Sequence, residues 1–187
     1  MKKKWLWLVI VMVLLCAMGV AIFIWVQGRE QNKTVAEIQP EEEISEEQVR
    51  QTIVTLYYQN AETKELMPEG RMIDVKLLFT NPYQTLVELL MEKPKNEKLQ
   101  SIIPNGTRVI KTELKGDILI LDLSKEFIDN HPGGEDLENK TIYSLVNTLT
   151  ELNEVNGIKI LINGRENQSF KDKKINFSNA FLKIVEK

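Results

Sequence analysis

Residues 107–123 read TRVIKTELKGDILILDL, and this stretch settles what kind of fold the chain can adopt. Thr107 to Leu114 mixes β-branched and charged residues as a strand does, Lys115-Gly116 supplies a turn, and Asp117 to Leu123 returns. Ile118-Leu119-Ile120-Leu121 is apolar at four consecutive positions. Successive strand side chains point to opposite faces, so this strand is expected at the centre of a sheet, covered on both sides. Immediately upstream, Ile103-Pro104-Asn105-Gly106-Thr107 carries the strongest turn chemistry in the chain. Pro104 presets one dihedral, while Asn105 and Gly106 tolerate positive φ.

Working outward, Thr52 to Tyr58 is dense in β-branched and aromatic residues and reads as a strand ending at Gln59-Asn60. Pro68-Glu69-Gly70 reads as a loop, followed by a strand from Arg71 to Val75. Asn81-Pro82 is a helix cap with a first-turn proline; Tyr83, Leu86, Val87 and Leu90 recur at helical spacing until Pro94 stops the element. Downstream of the hairpin, His131-Pro132-Gly133-Gly134 forms a loop, and Asp136 to Leu152 places Ile142, Leu145, Val146, Leu149 and Leu152 on one helical face. Asn156-Gly157 breaks that helix, and Ile158 to Ile162 alternates as a last strand, closed by Asn163-Gly164. The expected architecture is α+β, with two helices packed on a mixed or antiparallel sheet in the order β-β-α-β-β-α-β.

At the other end of the chain, Trp5 to Val26 is a run of 22 uncharged residues preceded by Lys2, Lys3 and Lys4. As a helix it would extend about 33 Å, enough to cross a hydrocarbon core. The lysines are expected to hold that end in the cytoplasm, leaving the body of the chain outside. Two other readings compete: cleavage as a signal peptide, and lipidation at Cys16, the sole cysteine. Against them, the apolar run continues past Ala17, Gly19 and Ala21, and Leu15 stands where a lipidation signal places a small residue. The segments expected are residues 1–26 as cytoplasmic lysines plus a transmembrane anchor, 27–50 as an acidic flexible linker, 51–167 as the domain, and 168–187 as a C-terminal tail. That tail still carries Phe177, Phe181, Leu182 and Val185, which suits docking as a short helix or strand. The linker holds seven glutamates against Arg29, Lys33 and Arg50, too polar to offset chain entropy.

Composition narrows the function classes. Without a cysteine after residue 16, packing alone must hold the domain. From residue 51 onward 18 Lys and Arg stand against 20 Asp and Glu, without a basic block, so nucleic acid is not an expected partner. Nucleophilic and metal chemistry draw on His and Cys, and His131 is the one histidine, placed beside Pro-Gly-Gly as loop residues often are. Glu135, Asp136 and Glu138 open the second helix, where negative charge meets the helix dipole. Asp117 and Asp122 bracket the apolar strand and are expected to be solvated. Gly133-Gly134 lacks the lysine and further glycines of a phosphate loop. Of the adjacent Tyr57 and Tyr58, at most one can enter the core. No catalytic, metal or cofactor-binding residue is therefore assigned, and no enzyme activity is expected.

Taken in order, several motifs resemble the GerMN domain of sporulation and spore germination proteins, from about Leu56 to Arg165. They are Leu56-Tyr57-Tyr58, Leu66-Met67-Pro68 before Arg71, and Leu89-Leu90 leading to Pro94. Then come Ile103 to Thr107, Leu121-Asp122-Leu123-Ser124 with Phe127, Leu145 to Thr150, and Ile162-Asn163-Gly164. One departure is Lys93, where the family usually places glycine before the proline, so the helix exit is expected to differ. The resemblance implies a fold similar to ring-building domains and a non-enzymatic scaffold or assembly role in sporulation or germination, without cofactor. It implies sporulation or envelope proteins, or further copies of this chain, as partners. Together with residues 5–26, the membrane-bound partner segment, this gives a single-pass cell-membrane protein with an extracytoplasmic domain, including the intermembrane space of a forming spore as a location. The rival reading is a binding module for cell-wall glycan or a small germinant, using aromatics such as Tyr58 or Tyr143.

Overall fold

A computed structural model describes residues 50–184 together with Met18 and Phe23. The expected anchor at 5–26 and linker at 27–50 otherwise lie outside these residues, and among the described residues no helix is long and apolar enough to cross a membrane. In chain order the elements are β1 (Gln51–Asn60), β2 (Leu66–Asp74), α1 (Leu77–Thr80), α2 (Pro82–Met91), β3 (Leu99–Gln100), β4 (Val109–Lys115), β5 (Ile118–Leu123), α3 (Glu126–Asp129), α4 (Glu135–Leu149), β6 (Gly157–Ile162) and β7 (Phe181–Leu182).

The mixed α+β class is as expected, but the strands form two sheets instead of one. The first has the order β2-β1-β3, the second β4-β5-β6-β7. Periodicity fixes which face a strand buries, not which strand lies beside it. The second edge of β1 is taken up by β3 at Gln59 and Asn60, and next to that by helix α4. There the Tyr57 N–H donates to Thr148 Oγ1 at 3.0 Å, and Ser144 Oγ donates to the Tyr57 carbonyl at 2.6 Å.

Pro68, Glu69 and Gly70 are not a loop; they lie inside β2, with Tyr57 opposite Pro68. Because the Tyr57 N–H and carbonyl point at α4, the facing pair makes no ladder bond, and the missing Pro68 N–H is tolerated on an edge strand. The turn comes earlier, where the Asn60 side chain accepts from the N–H groups of Glu62 and Thr63. Helix α2 begins as the sequence requires: the Asn81 side chain accepts from the Gln84 N–H, and Pro82 occupies the first turn. It ends at Met91 with Glu92 extended, and Lys93 needs no positive φ, so glycine is dispensable there.

In the second sheet β5 is interior, as expected. Leu119, Leu121 and Leu123 are fully buried, whereas Ile118 and Ile120 are half-buried, so only one face is sealed. Strand β6 runs parallel to β5, a pairing that needs a crossover, and α3 and α4 supply it. Strand β6 is not the last strand. The tail returns as β7, which pairs with β6 at Gly157 and Ile158. A Cβ at Gly157 would stand 2.7 Å from the Phe181 carbonyl, so glycine is required by this docking; α4 has already ended at Leu149 with Thr150 as its cap, so Asn156-Gly157 does not break the helix as expected. Phe170 and Phe177, in the stretch set apart as a tail, are buried and stack on Phe127 with centroids 5.6 and 6.2 Å away. One core joins the two sheets through Leu56 and Tyr58 of β1, Leu86, Val87 and Leu90 of α2, Leu145 and Leu149 of α4, and Ile158 and Ile160 of β6.

Candidate functional site

Alternation along β1 and β2 leaves one face of the first sheet uncovered. Ile53 stands opposite Met72 on that face, and both are exposed, at 66% and 54%. The Val75 N–H bonds the Arg50 carbonyl, bringing the start of α1 to the same end of the sheet. Leu77 and Phe79 of α1 are 52% and 75% exposed. Four large apolar side chains thus face water at one end of the hairpin. Single exposed apolar residues need no explanation, but a cross-strand pair with two more at the same end of the sheet does. Sequence reasoning missed it; the signal was that Ile53 and Val54 cannot both enter the same core.

About four residues further along β1, an open groove of about 540 Å³ runs between β1 and α4. Tyr57 and Leu66 line its sheet side, while Lys140, Tyr143, Asn147 and Glu151 line the helix side at helical spacing. Glu65, Lys183 and Ile184 complete it. The Tyr57 hydroxyl lies 3.3 Å from Glu151 Oε1, and burial, aided by that carboxylate, raises its pKa. Lys140 pairs with Asp136 at 3.0 Å and Glu65 at 3.7 Å, and Lys183 Nζ lies 3.3 Å from the Thr150 carbonyl. Tyr143 belongs to this groove, but Tyr58 does not. Tyr58 is fully buried, its hydroxyl donates to the Leu89 carbonyl at 2.8 Å, and burial, partly countered by Arg71, pushes its pKa up to about 12. It is no ligand-facing aromatic.

Of the residues considered for chemistry, His131 and Glu138 both lie near Asp172, and Glu138 also near Glu135. His131 lies in the loop before α4, as expected, and is buried there. Its Nδ1 accepts from the Gly133 N–H at 3.0 Å, so the proton of the neutral ring sits on Nε2, 3.0 Å from Thr141 Oγ1. Burial, then the nearby Lys171, lowers its pKa. Glu135 pairs with Lys174, Asp136 with Lys140, and Glu138 is buried near Asp172. Asp117 is exposed and accepts from Asn156, but Asp122 is not solvated as expected: it is buried and accepts the Gly164 N–H at 2.9 Å. Among the described residues, no group of three or more His, Cys, Asp or Glu is placed to hold a metal.

These features define an α+β domain of two sheets that presents an apolar sheet end and an open groove. The chain belongs to the Germane family, described as sporulation and spore germination, whose model matches residues 55–168. Its fold is similar to the first GerMN domain of the sporulation protein GerM from Bacillus subtilis, with TM-score 0.59 and 18% identity over 70% of this chain and 97% of that one. It is similar to the tandem GerMN domains of the same protein, with TM-score 0.58 and 18% identity over 72% of this chain. This chain spans only 46% of that tandem structure. A putative lipoprotein from Clostridium perfringens matches with TM-score 0.50 and 23% identity, over 73% of this chain and 90% of that one. No curated protein sequence matches at a significant level.

Proposed function

We propose that this chain is a membrane-anchored assembly protein that works through protein contacts outside the cytoplasm, in sporulation or spore germination, and performs no chemistry of its own. The observation that carries the reading is the exposure of Ile53, Met72, Leu77 and Phe79 at one end of the first sheet, on a domain of this family. Fully burying one such side chain is worth about 1.5–3 kcal/mol, so a partner covering four has a substantial drive to bind. The uncharged run from Trp5 to Val26 supports the anchor, and the acidic stretch after it supports a tether of residues 27–50 carrying the domain away from the bilayer.

The test is a light-activated crosslinking residue placed at Phe79 or at Met72 in the full chain, expressed in sporulating cells of a spore-forming bacterium. A discrete adduct at both positions, absent when the residue is placed at the exposed Glu97, is the expected outcome. Equal, diffuse labelling at all three positions would refute the reading.

A further inference from the structure

The groove between β1 and α4 lies about 13 Å along the strand from Ile53, four residues at the usual rise, and is a separate feature from the apolar end of the sheet. We infer that it binds an N-acetylated glycan, a neutral and hydroxyl-rich chain, whether or not the domain also docks on a protein. Its volume of about 540 Å³ falls within the range of ligand clefts.

The charge on its walls selects against ions. Two lysines and two glutamates balance, Lys140 is already held by Asp136 and Glu65, and Lys183 by the Thr150 carbonyl. A phosphate or an amino-acid carboxylate would have to displace these partners. A sugar would not. Tyr57 and Tyr143 are half-buried and supply aromatic surface of the kind that packs on the C–H faces of sugar rings. Tyr57 is fixed in place, since Ser144 and Thr148 hold its backbone and Glu151 its hydroxyl. A binding group set on a rigid strand and helix loses little freedom when a ligand arrives.

The unspent polar groups then name the ligand class. Neither the Tyr143 hydroxyl nor the Asn147 side chain has a hydrogen-bond partner among the described residues, although both residues are half-buried. An amide offers two donors and one acceptor, the complement of an acetamido group or a pair of hydroxyls. Leu66 and Ile184 add apolar surface at the groove, which suits the methyl of an acetamido group.

The experiment titrates the full chain, in a detergent without a sugar headgroup, with tri-N-acetylchitotriose, followed by saturation-transfer NMR and calorimetry. Saturable binding is expected with a dissociation constant of about 0.1–1 mM, a scale suited to a few hydrogen bonds and stacked rings. Asn147→Ala and Tyr143→Ala should each weaken it about tenfold, and Tyr143→Phe, which keeps the ring, should weaken it less. Phe79→Ser, at the apolar end, should leave the titration unchanged while abolishing the Phe79-side protein contact, so the two readings fail separately. Absence of saturation at about 10 mM ligand, equal affinity in the Asn147 and Tyr143 variants, or saturable binding of L-alanine in place of the sugar would each overturn the inference.

Discussion

Replacing Arg71 by methionine should destabilise the domain more than any surface change, because this buried guanidinium ties β2 to the exit of α2. Its NH1 group donates to the Leu89 carbonyl at 3.2 Å and to Glu92 at 3.0 Å; NH2 donates to Glu69 at 3.0 Å and to the Lys93 carbonyl at 3.2 Å. The Glu69 pair is the costly one to break, with both side chains under a tenth exposed, whereas Glu92 is 62% exposed and contributes little. Removing one partner of a buried pair costs about 3–5 kcal/mol. The lower end applies here, because Glu69 keeps the Asn96 N–H and the Leu89 carbonyl keeps the Tyr58 hydroxyl. About 3 kcal/mol corresponds to a fall in Tm of roughly 10 °C for a domain of this size.

The loss should also depend on pH. Burial alone would raise the Glu69 carboxyl, but the Asn96 and Lys95 N–H groups and Arg71 outweigh it and hold it below its ordinary value. A depressed folded-state pKa stabilises the fold above the unfolded pKa and ceases to do so as pH falls through the folded value. Arg71→Met weakens that depression, so parent and variant should differ most at neutral pH and converge in acid. The assay is urea unfolding followed by circular dichroism at pH 7 and at pH 3. A difference below about 1 kcal/mol at pH 7, or one unchanged at pH 3, would refute the reasoning.

Three further changes probe other joints of the fold. Gly157→Ala should push the tail off β6, with a loss of about 1–3 kcal/mol and faster proteolysis after Phe170; unchanged cleavage would show that β7 docking does not depend on that close approach. Thr148→Val leaves the Tyr57 N–H without its acceptor and should cost about 1–3 kcal/mol, seen as faster amide exchange at Tyr57. Glu138→Gln tests a buried carboxyl whose pKa is raised, first by burial and then by Asp172. Its contribution is present below the unfolded pKa and lost as pH rises through the folded value, so the variant should gain on the parent between pH 4 and neutrality, read from urea midpoints.

What the sequence made legible was local. Asn81-Pro82 starts a helix because cap and first turn are neighbours in the chain. Gly106, Gly116, Asn163 and Gly164 all take positive φ, as the turn residues at those positions require. The interior place of β5 followed from four apolar residues in a row. What escaped was pairing over distance. Pro68 looked like a loop because only knowledge of α4 beside β1 shows that its missing N–H is harmless. The two-sheet division, the return of the tail at Gly157 and the burial of Asp122 against Gly164 all depend on contacts far apart in sequence. For the groove, Tyr143 was legible as an outward helix residue; Tyr57 and Tyr58 were not separable, since alternation fixes opposite faces without saying which is the core.

The most direct test of the account labels single cysteines from outside intact sporulating cells, using a membrane-impermeant maleimide on full chains carrying Cys16→Ser with either Glu97→Cys or Phe79→Cys. Position 97 should react while position 79 is shielded, and the shielding should disappear once the chain is extracted from the membrane and its partner. Failure of position 97 to react on intact cells, or equal reaction at both positions there, would contradict the account.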